Sequence, residues 1–248
     1  MAKKKRKRRP APPDATRAAP ASNASAARRD KKEAARQERE RAQKAAVRRG
    51  ALRRGLIGGL VGLLVFFAIS WFTNRAPDPK PFSDTAKAAV AAAGCNGPVQ
   101  PETNPTNAHH PASEITYSQH PATAGDHDPT PLPDQPRVYT SPQIEAQAVH
   151  TLEHGSVIMY YRAPGERRGL PQPVIDALGP TATNSRATYL IPYPDLPQGT
   201  ALAYTAWNQL ITCPADITPG QATTIATGFI DSFVCTNNAP EGKNGDGC

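Results

Sequence analysis

Residues 55–72, GLIGGLVGLLVFFAISWF, carry no charged side chain, and that run limits what the chain can fold into more than any other feature. At about 1.5 Å of rise per residue, a helix of this length reaches roughly 27 Å, near the thickness of a bilayer's hydrocarbon core. A helix inside a soluble core would show polar residues at helical spacing. Here only Ser70 interrupts the run, and Trp71 stands where an aromatic residue anchors a helix at the membrane interface. Arg48, Arg49, Arg53 and Arg54 flank one end, against Arg75 and Lys80 at the other. Positive residues close to a span are retained in the cytoplasm, so the expected topology is single-pass in the cell membrane, N-terminus cytoplasmic and C-terminal domain extracytoplasmic. A cleaved secretory signal would have a shorter apolar core and a small-x-small site. The run instead continues into Trp71-Phe72-Thr73-Asn74-Arg75, as in an uncleaved signal anchor.

The formal net charge of +8 combines two opposite parts. Residues 1–54 hold 20 Lys and Arg against 5 Asp and Glu, and the rest holds 9 against 16. The opening KKKRKRR has the composition of a nucleic-acid patch, because clustered cations release counterions from a phosphate backbone. Next to a span the same cations serve as a positive-inside tail that attracts anionic lipid head groups. No aromatic residue lies among them to stack bases, so lipid bilayer is the expected partner and nucleic acid is not.

Residues 1–29, built from Lys, Arg, Pro, Ala, Ser and Asn, bury too little apolar surface to offset the entropy of ordering, and disorder is expected. Residues 30–54 are rich in strong helix formers without a long apolar stripe, which predicts a solvated helix leading into the span at 55–72. A Pro-rich linker follows over 73–82, then a domain over 83–236 and a flexible tail over 237–248. All four cysteines, Cys95, Cys213, Cys235 and Cys248, fall after the span, where an oxidising compartment allows disulfides. Of the possible pairings, Cys95 with Cys213 is the candidate; Cys235 and Cys248 stay open.

Within the domain, residues 84–93 read as a helix capped by Ser83 or Asp84 and stopped at Gly94. Residues 96–136 form a loop rich in Pro, Thr, Asn and Asp, too long for a plain connector. A helix is predicted from Ser141-Pro142 to His154, strands over 157–162, 187–193 and 201–207, and helices over 171–178 and 221–233. The order predicts an α+β fold: one small extracytoplasmic domain with a mainly antiparallel sheet and flanking helices, preceded by one transmembrane helix.

All six histidines lie between His109 and His154. His150 and His154 are four apart in a predicted helix, so their rings share one face, a common way to offer two imidazoles to one metal. His109, His110, His120 and His127 lie in the Pro- and Gly-containing loop and can complete a site suited to Zn²⁺ or Cu²⁺. The competing structural role is capping and backbone hydrogen bonding, with His154 favoured in the helix's last turn. Cu(I) is a poor match, since Met159 is the only methionine beyond the initiator. No C-x-x-C occurs for redox catalysis. His150-Thr151-Leu152-Glu153-His154 also fits the H-x-x-E-H pattern of inverted zinc peptidases, in which Glu153 would be the general base. That reading needs a third ligand, for which Asp216 and Asp231 are the candidates.

YSQHPATAGDH at 117–127, Val138-Tyr139, VHTLEHGSVIMYY at 149–161 and Thr205-Ala206-Trp207 resemble the bacterial envelope proteins grouped as domain of unknown function 3105. The resemblance spans about residues 90–235 and rests mainly on V-H-x-L-E-H-G. It implies functional positions at His127, His150, Glu153, His154 and one of His109 and His110, without naming a reaction. His120 stands where relatives more often have Asn, which lowers its standing as a ligand. Three functions are compatible: a metal-binding domain using His127, His150, His154 and His109 or His110, with Glu153 beside the ligands; an interaction module for an envelope protein; and a metal-dependent hydrolase. The chain argues more for a binding domain than for an enzyme.

Overall fold

A computed structural model describes residues 21–103, 105–242 and 248. The basic run at 3–9 and the rest of 1–20 lie outside the described residues, as do 243–247 of the tail and the Trp71 side chain. Two compact units divide at Ser70 and Trp71. The described part of the first is helix α1 as far as Ser70; α1 itself, Ala21–Asn74, starts inside the stretch expected to be disordered and runs without a break through the apolar segment. Its large apolar side chains from Leu56 to Ile69 are exposed. By length and composition α1 is apolar enough to cross a membrane.

The second unit is α+β. Its helices and strands are α2 (Asp84–Ala92), β1 (Asn96–Val99), α3 (Glu145–Glu153), β2 (Val157–Tyr161), α4 (Gln172–Asn184), β3 (Thr188–Pro192), β4 (Leu202–Ala206), β5 (Gln209–Cys213) and α5 (Pro219–Phe233). The sheet order is β1-β5-β4-β2-β3. Three of its four pairings are antiparallel, while β2 and β3 run parallel, with Val157 opposite Thr188. The parallel pair follows from α4, whose crossover returns the chain to the same end of the sheet.

Strand β2 is an interior strand, between β4 and β3, and both its faces are covered, which explains its unbroken apolar sequence. Val157, Met159 and Tyr161 point into one core with α2, α4 and α5. Ile158 and Tyr160 point into a second core with α3, Tyr139, Tyr189 and loop residues Ala122, Ala124 and Leu132. Helices therefore cover one face of the sheet, and α3 with the long polar loop covers the other.

Several boundaries differ from expectation. Helix α3 begins at Glu145 with Ile144 as its N-cap, so Ser141 and Pro142 precede it. Helix α4 continues through Pro180 to Asn184. The lost proline N–H would have bonded Asp176, whose backbone lies on the exposed side, and the apolar stripe runs on to buried Ala182. Strand β1 falls at the start of the stretch read as a loop, and strand β5 was not foreseen either. Strand β5 pairs with β4 through a two-residue turn, Trp207-Asn208, with Asn208 at φ 50°, a conformation Asn tolerates well.

Cys95 joins Cys213, tying the end of α2 to β5. Cys235 joins Cys248, and residues 237–242, expected to be loose, fold back on the α3–β2 turn. There Cys235 N–H donates to Gly155 O (2.8 Å) and Glu241 N–H to Glu153 O (3.1 Å).

Candidate metal centre

The long loop brings its two histidine-bearing arms together before either meets α3. His127 N–H donates to Ala108 O (3.0 Å) and His110 N–H to His127 O (2.9 Å), a parallel bridge that sets His109 beside His127. The Asp126 carboxylate accepts from Ala108 N–H (3.0 Å) and the Asp128 carboxylate from Ala112 N–H (3.1 Å), which locks the register. Hydrogen bonds, from Thr106 and Ala108 to Asp126 and chiefly from Thr130 to Asp128, hold both carboxyls below the usual range. The Tyr117 hydroxyl donates to Asp126 O (2.7 Å). Asp128 N–H donates to Ala146 O (3.3 Å) and Leu132 N–H to the Thr151 hydroxyl (2.9 Å), docking the loop on α3.

This folding collects His109, His127, His150 and Glu153, with one ligand atom from each all within 4.8 Å of one another. An ion at about 2.0 to 2.1 Å from each donor keeps any two within about 4.2 Å, so small side-chain shifts close the set on an ion. His127, His150 and Glu153 are buried, while the His109 side chain is 52 % exposed and forms the solvent side. Trp207 meets the His127 ring edge-on, 6.1 Å between centroids.

Each buried donor is held from behind. Nδ1 of His127 lies 2.8 Å from Gly125 O and Nδ1 of His150 lies 2.6 Å from Asp128 O. A carbonyl only accepts, so both Nδ1 atoms carry hydrogen, and in the neutral rings both Nε2 atoms hold a lone pair; that of His150 accepts from His154 Nε2 (3.1 Å), a bond that an ion at the centre would replace. Asn107 Nδ2 donates to Glu153 Oε1 (2.9 Å), leaving Oε2 directed at His127 Nε2 (3.0 Å) and His109 Nε2 (4.0 Å). His127 Nε2 is buried beside that carboxylate, yet no well-aligned hydrogen bond joins them. A buried, unpartnered nitrogen facing a carboxylate oxygen is the arrangement a cation would complete. Burial, with the neighbouring His154, His127 and His109 adding to it, pulls the His150 pKa below 6.5 against the opposing hydrogen bond to Asp128, which keeps the ring neutral and able to ligate.

The other predicted residues are placed differently. His154 caps α3 and turns toward the C-terminal tail, with Nε2 3.1 Å from His150 Nε2 and 3.4 Å from Glu241 Oε2. The helical pair in the converging set is therefore His150 and Glu153, three apart, in place of His150 and His154, because α3 ends at Glu153. His110 Nε2 lies 3.7 Å from Asp126 Oδ2 and faces a groove of about 560 Å³. Glu102, Glu114 and Asp126 also line that groove, which is therefore acidic, and none of the four converging residues lines it. His120 Nδ1 lies 2.8 Å from Glu145 Oε2, holding the loop to the first turn of α3. Neither Asp216 nor Asp231 belongs to the converging set. The sequence reading did not single out Asn107 or Glu241. Asn107, two residues before His109, had only its position in the histidine loop to mark it, and nothing local marks Glu241.

A family profile described as a protein of unknown function (DUF3105) matches residues 109–246. Curated proteins and solved structures give no match to the chain.

Proposed function

Since the chain belongs to the DUF3105 family, whose function is unknown, we propose from its geometry that it is a membrane-anchored domain binding one divalent transition ion, Zn²⁺ or Cu²⁺. His109, His127, His150 and Glu153 supply three imidazole nitrogens and one carboxylate oxygen, a donor set that suits either ion. The observation that carries this reading is the backing of the donors: two Nδ1–H groups on backbone carbonyls and an Asn107 amide on Glu153 orient three buried ligand atoms toward one point. Such supporting bonds fix ligand orientation and raise affinity.

The rest of the proposal concerns placement. Helix α1 spans the bilayer with the basic N-terminal stretch on the cytoplasmic face beside anionic head groups, and the metal centre is extracytoplasmic, where an envelope protein is the natural partner. The arrangement gives a hydrolase less support. An H-x-x-E-H peptidase needs both histidines on the ion and the glutamate off it, whereas here Glu153 belongs to the converging set and His154 does not.

Elemental analysis and titration calorimetry with Zn²⁺ and Cu²⁺ on the purified chain in detergent test the proposal. The wild type should take up one ion per chain, and His150→Ala and Glu153→Gln should each weaken binding by at least a hundredfold. Equal binding by all three proteins sinks the idea. A second reading rests on the 3.0 Å contact between His127 and Glu153, which also suits a metal-free ion pair stabilising an interaction module. That reading expects thermal stability to be indifferent to EDTA, whereas a metal site should lose about 2.7 kcal/mol when a hundredfold excess of ion over Kd is removed.

A further inference from the structure

The C-terminal tail packs against the turn that ends the metal-bearing helix, at several points. Cys248 Sγ lies 3.6 Å from His154 O, Cys235 N–H donates to Gly155 O and Glu241 N–H to Glu153 O. Gly155 takes φ +85°, and a Cβ there would come within 2.8 Å of Gly242 Cα, so the tail fills the space above the turn. The Glu241 carboxylate reaches His154 Nε2, which in turn meets His150 Nε2. The tail therefore touches Glu153, a donor, through its backbone, and His150, a second donor, through His154.

We propose that the Cys235–Cys248 disulfide is a redox-sensitive clasp on this centre: closed, it holds Glu241 against His154 and steadies the turn carrying Glu153, and reduction releases the tail and speeds exchange of the ion. The inference rests on the metal-binding reading. Among the described residues the two disulfides are differently built. Cys95–Cys213 joins α2 to the sheet with Cys213 1 % exposed in the core, and closes 118 residues. Cys235–Cys248 has a separation of 13 and secures only the tail. Its reductant is a dithiol. One thiolate attacks the Sγ of Cys248, the less buried of the two cysteines, forming a mixed disulfide, and Cys235 leaves as thiolate and takes a proton from water. The second thiol of the reductant then attacks its own mixed-disulfide sulfur, releasing Cys248 as a thiol. Two electrons pass to the protein, and the reductant leaves as its cyclic disulfide. Asn238, which donates to Trp207 O (2.8 Å), and buried Ala239 stay docked, so the freed part is the segment carrying Glu241 and Gly242.

The test uses the full chain in detergent, loaded with Zn²⁺, with release followed by a chromogenic chelator and backbone exchange at residues 153–157 followed by hydrogen–deuterium mass spectrometry. Cys235→Ser/Cys248→Ser should release Zn²⁺ about tenfold faster, the low end of the effect of losing outer support, and should exchange faster at 153–157 even without metal. Glu241→Gln keeps the disulfide and guards against a misfolded double variant; it should speed release with exchange unchanged. Wild type that retains no Zn²⁺ overturns the metal reading and this inference with it. Retention by the wild type, with both variants releasing Zn²⁺ at the wild-type rate, overturns the clasp alone.

Discussion

Glu153 combines three demands at one residue: it closes α3, it is nearly fully buried, and it presents one carboxylate oxygen to two histidines. Its other oxygen is taken by Asn107, so the rotamer depends on a residue from the far end of the loop. Asn107→Ala should therefore weaken Zn²⁺ binding by about 10- to 100-fold while leaving the ligands in place, as calorimetry against Asn107→Asp and wild type will show. The lowered pKa of His150 sets a pH dependence as well. Below 6.5 the unfolded chain protonates this ring before the folded chain does, so the unfolded state binds more protons and stability rises with pH. Metal-free wild type should lose melting temperature as pH falls from 7 through 6 toward the folded pKa, and His150→Gln should lose less. Asp126 and Asp128, with pKa values below the ordinary 3.8, contribute to the same sign of dependence only at more acid pH.

At the scale of elements, the site depends on a sheet whose two faces do different work. Helices α2, α4 and α5 form a core on one face, freeing the other for α3 and the loop. Contact between α2 and α5 is close because Gly228 has no Cβ; one added there would overlap Ala86 Cβ. Gly228→Val should cost about 1 to 3 kcal/mol through overpacking, read as a lower melting temperature with metal stoichiometry unchanged, since the centre lies on the opposite face. At the start of α5, Thr218 and Gln221 form a reciprocal cap. Thr218→Ala should cost about 1 kcal/mol, again in thermal melts and again without effect on the ion.

For the whole molecule, α1 and the α+β unit answer to different surroundings. The exposed apolar side chains of α1 suit an apolar medium, and in the proposed topology the basic stretch before them meets anionic head groups. Reconstituted into sealed anionic vesicles, the chain should expose its cysteine-bearing domain to protease on the face opposite the basic stretch. A peptide of residues 1–54 should bind anionic vesicles and lose that binding as salt rises, because surface charge attraction falls off within a Debye length. Protease cutting both ends from the same face would overturn the proposed topology.

Local pattern was enough for the apolar run at 55–72, the start of α2 at Ser83 or Asp84, the apolar strand at 157–162, one residue longer than β2, and the gathering of every histidine into one third of the domain, because composition, capping and periodicity act over a few residues. The family, too, was legible, since V-H-x-L-E-H-G is a contiguous string. What tertiary structure decided was every choice that depends on distant partners. Spacing in a helix offers His154 and Glu153 equally to a metal; only the end of α3 and the returning tail turn His154 toward Glu241. Two neighbouring histidines, His109 and His110, point to opposite sides of a loop arm, and the bridge to His127 settles which joins the centre. Asn107 and Cys248 likewise acquire their roles from residues 46 and 13 positions away, and β5, although it forms a hairpin with β4, also pairs with distant β1.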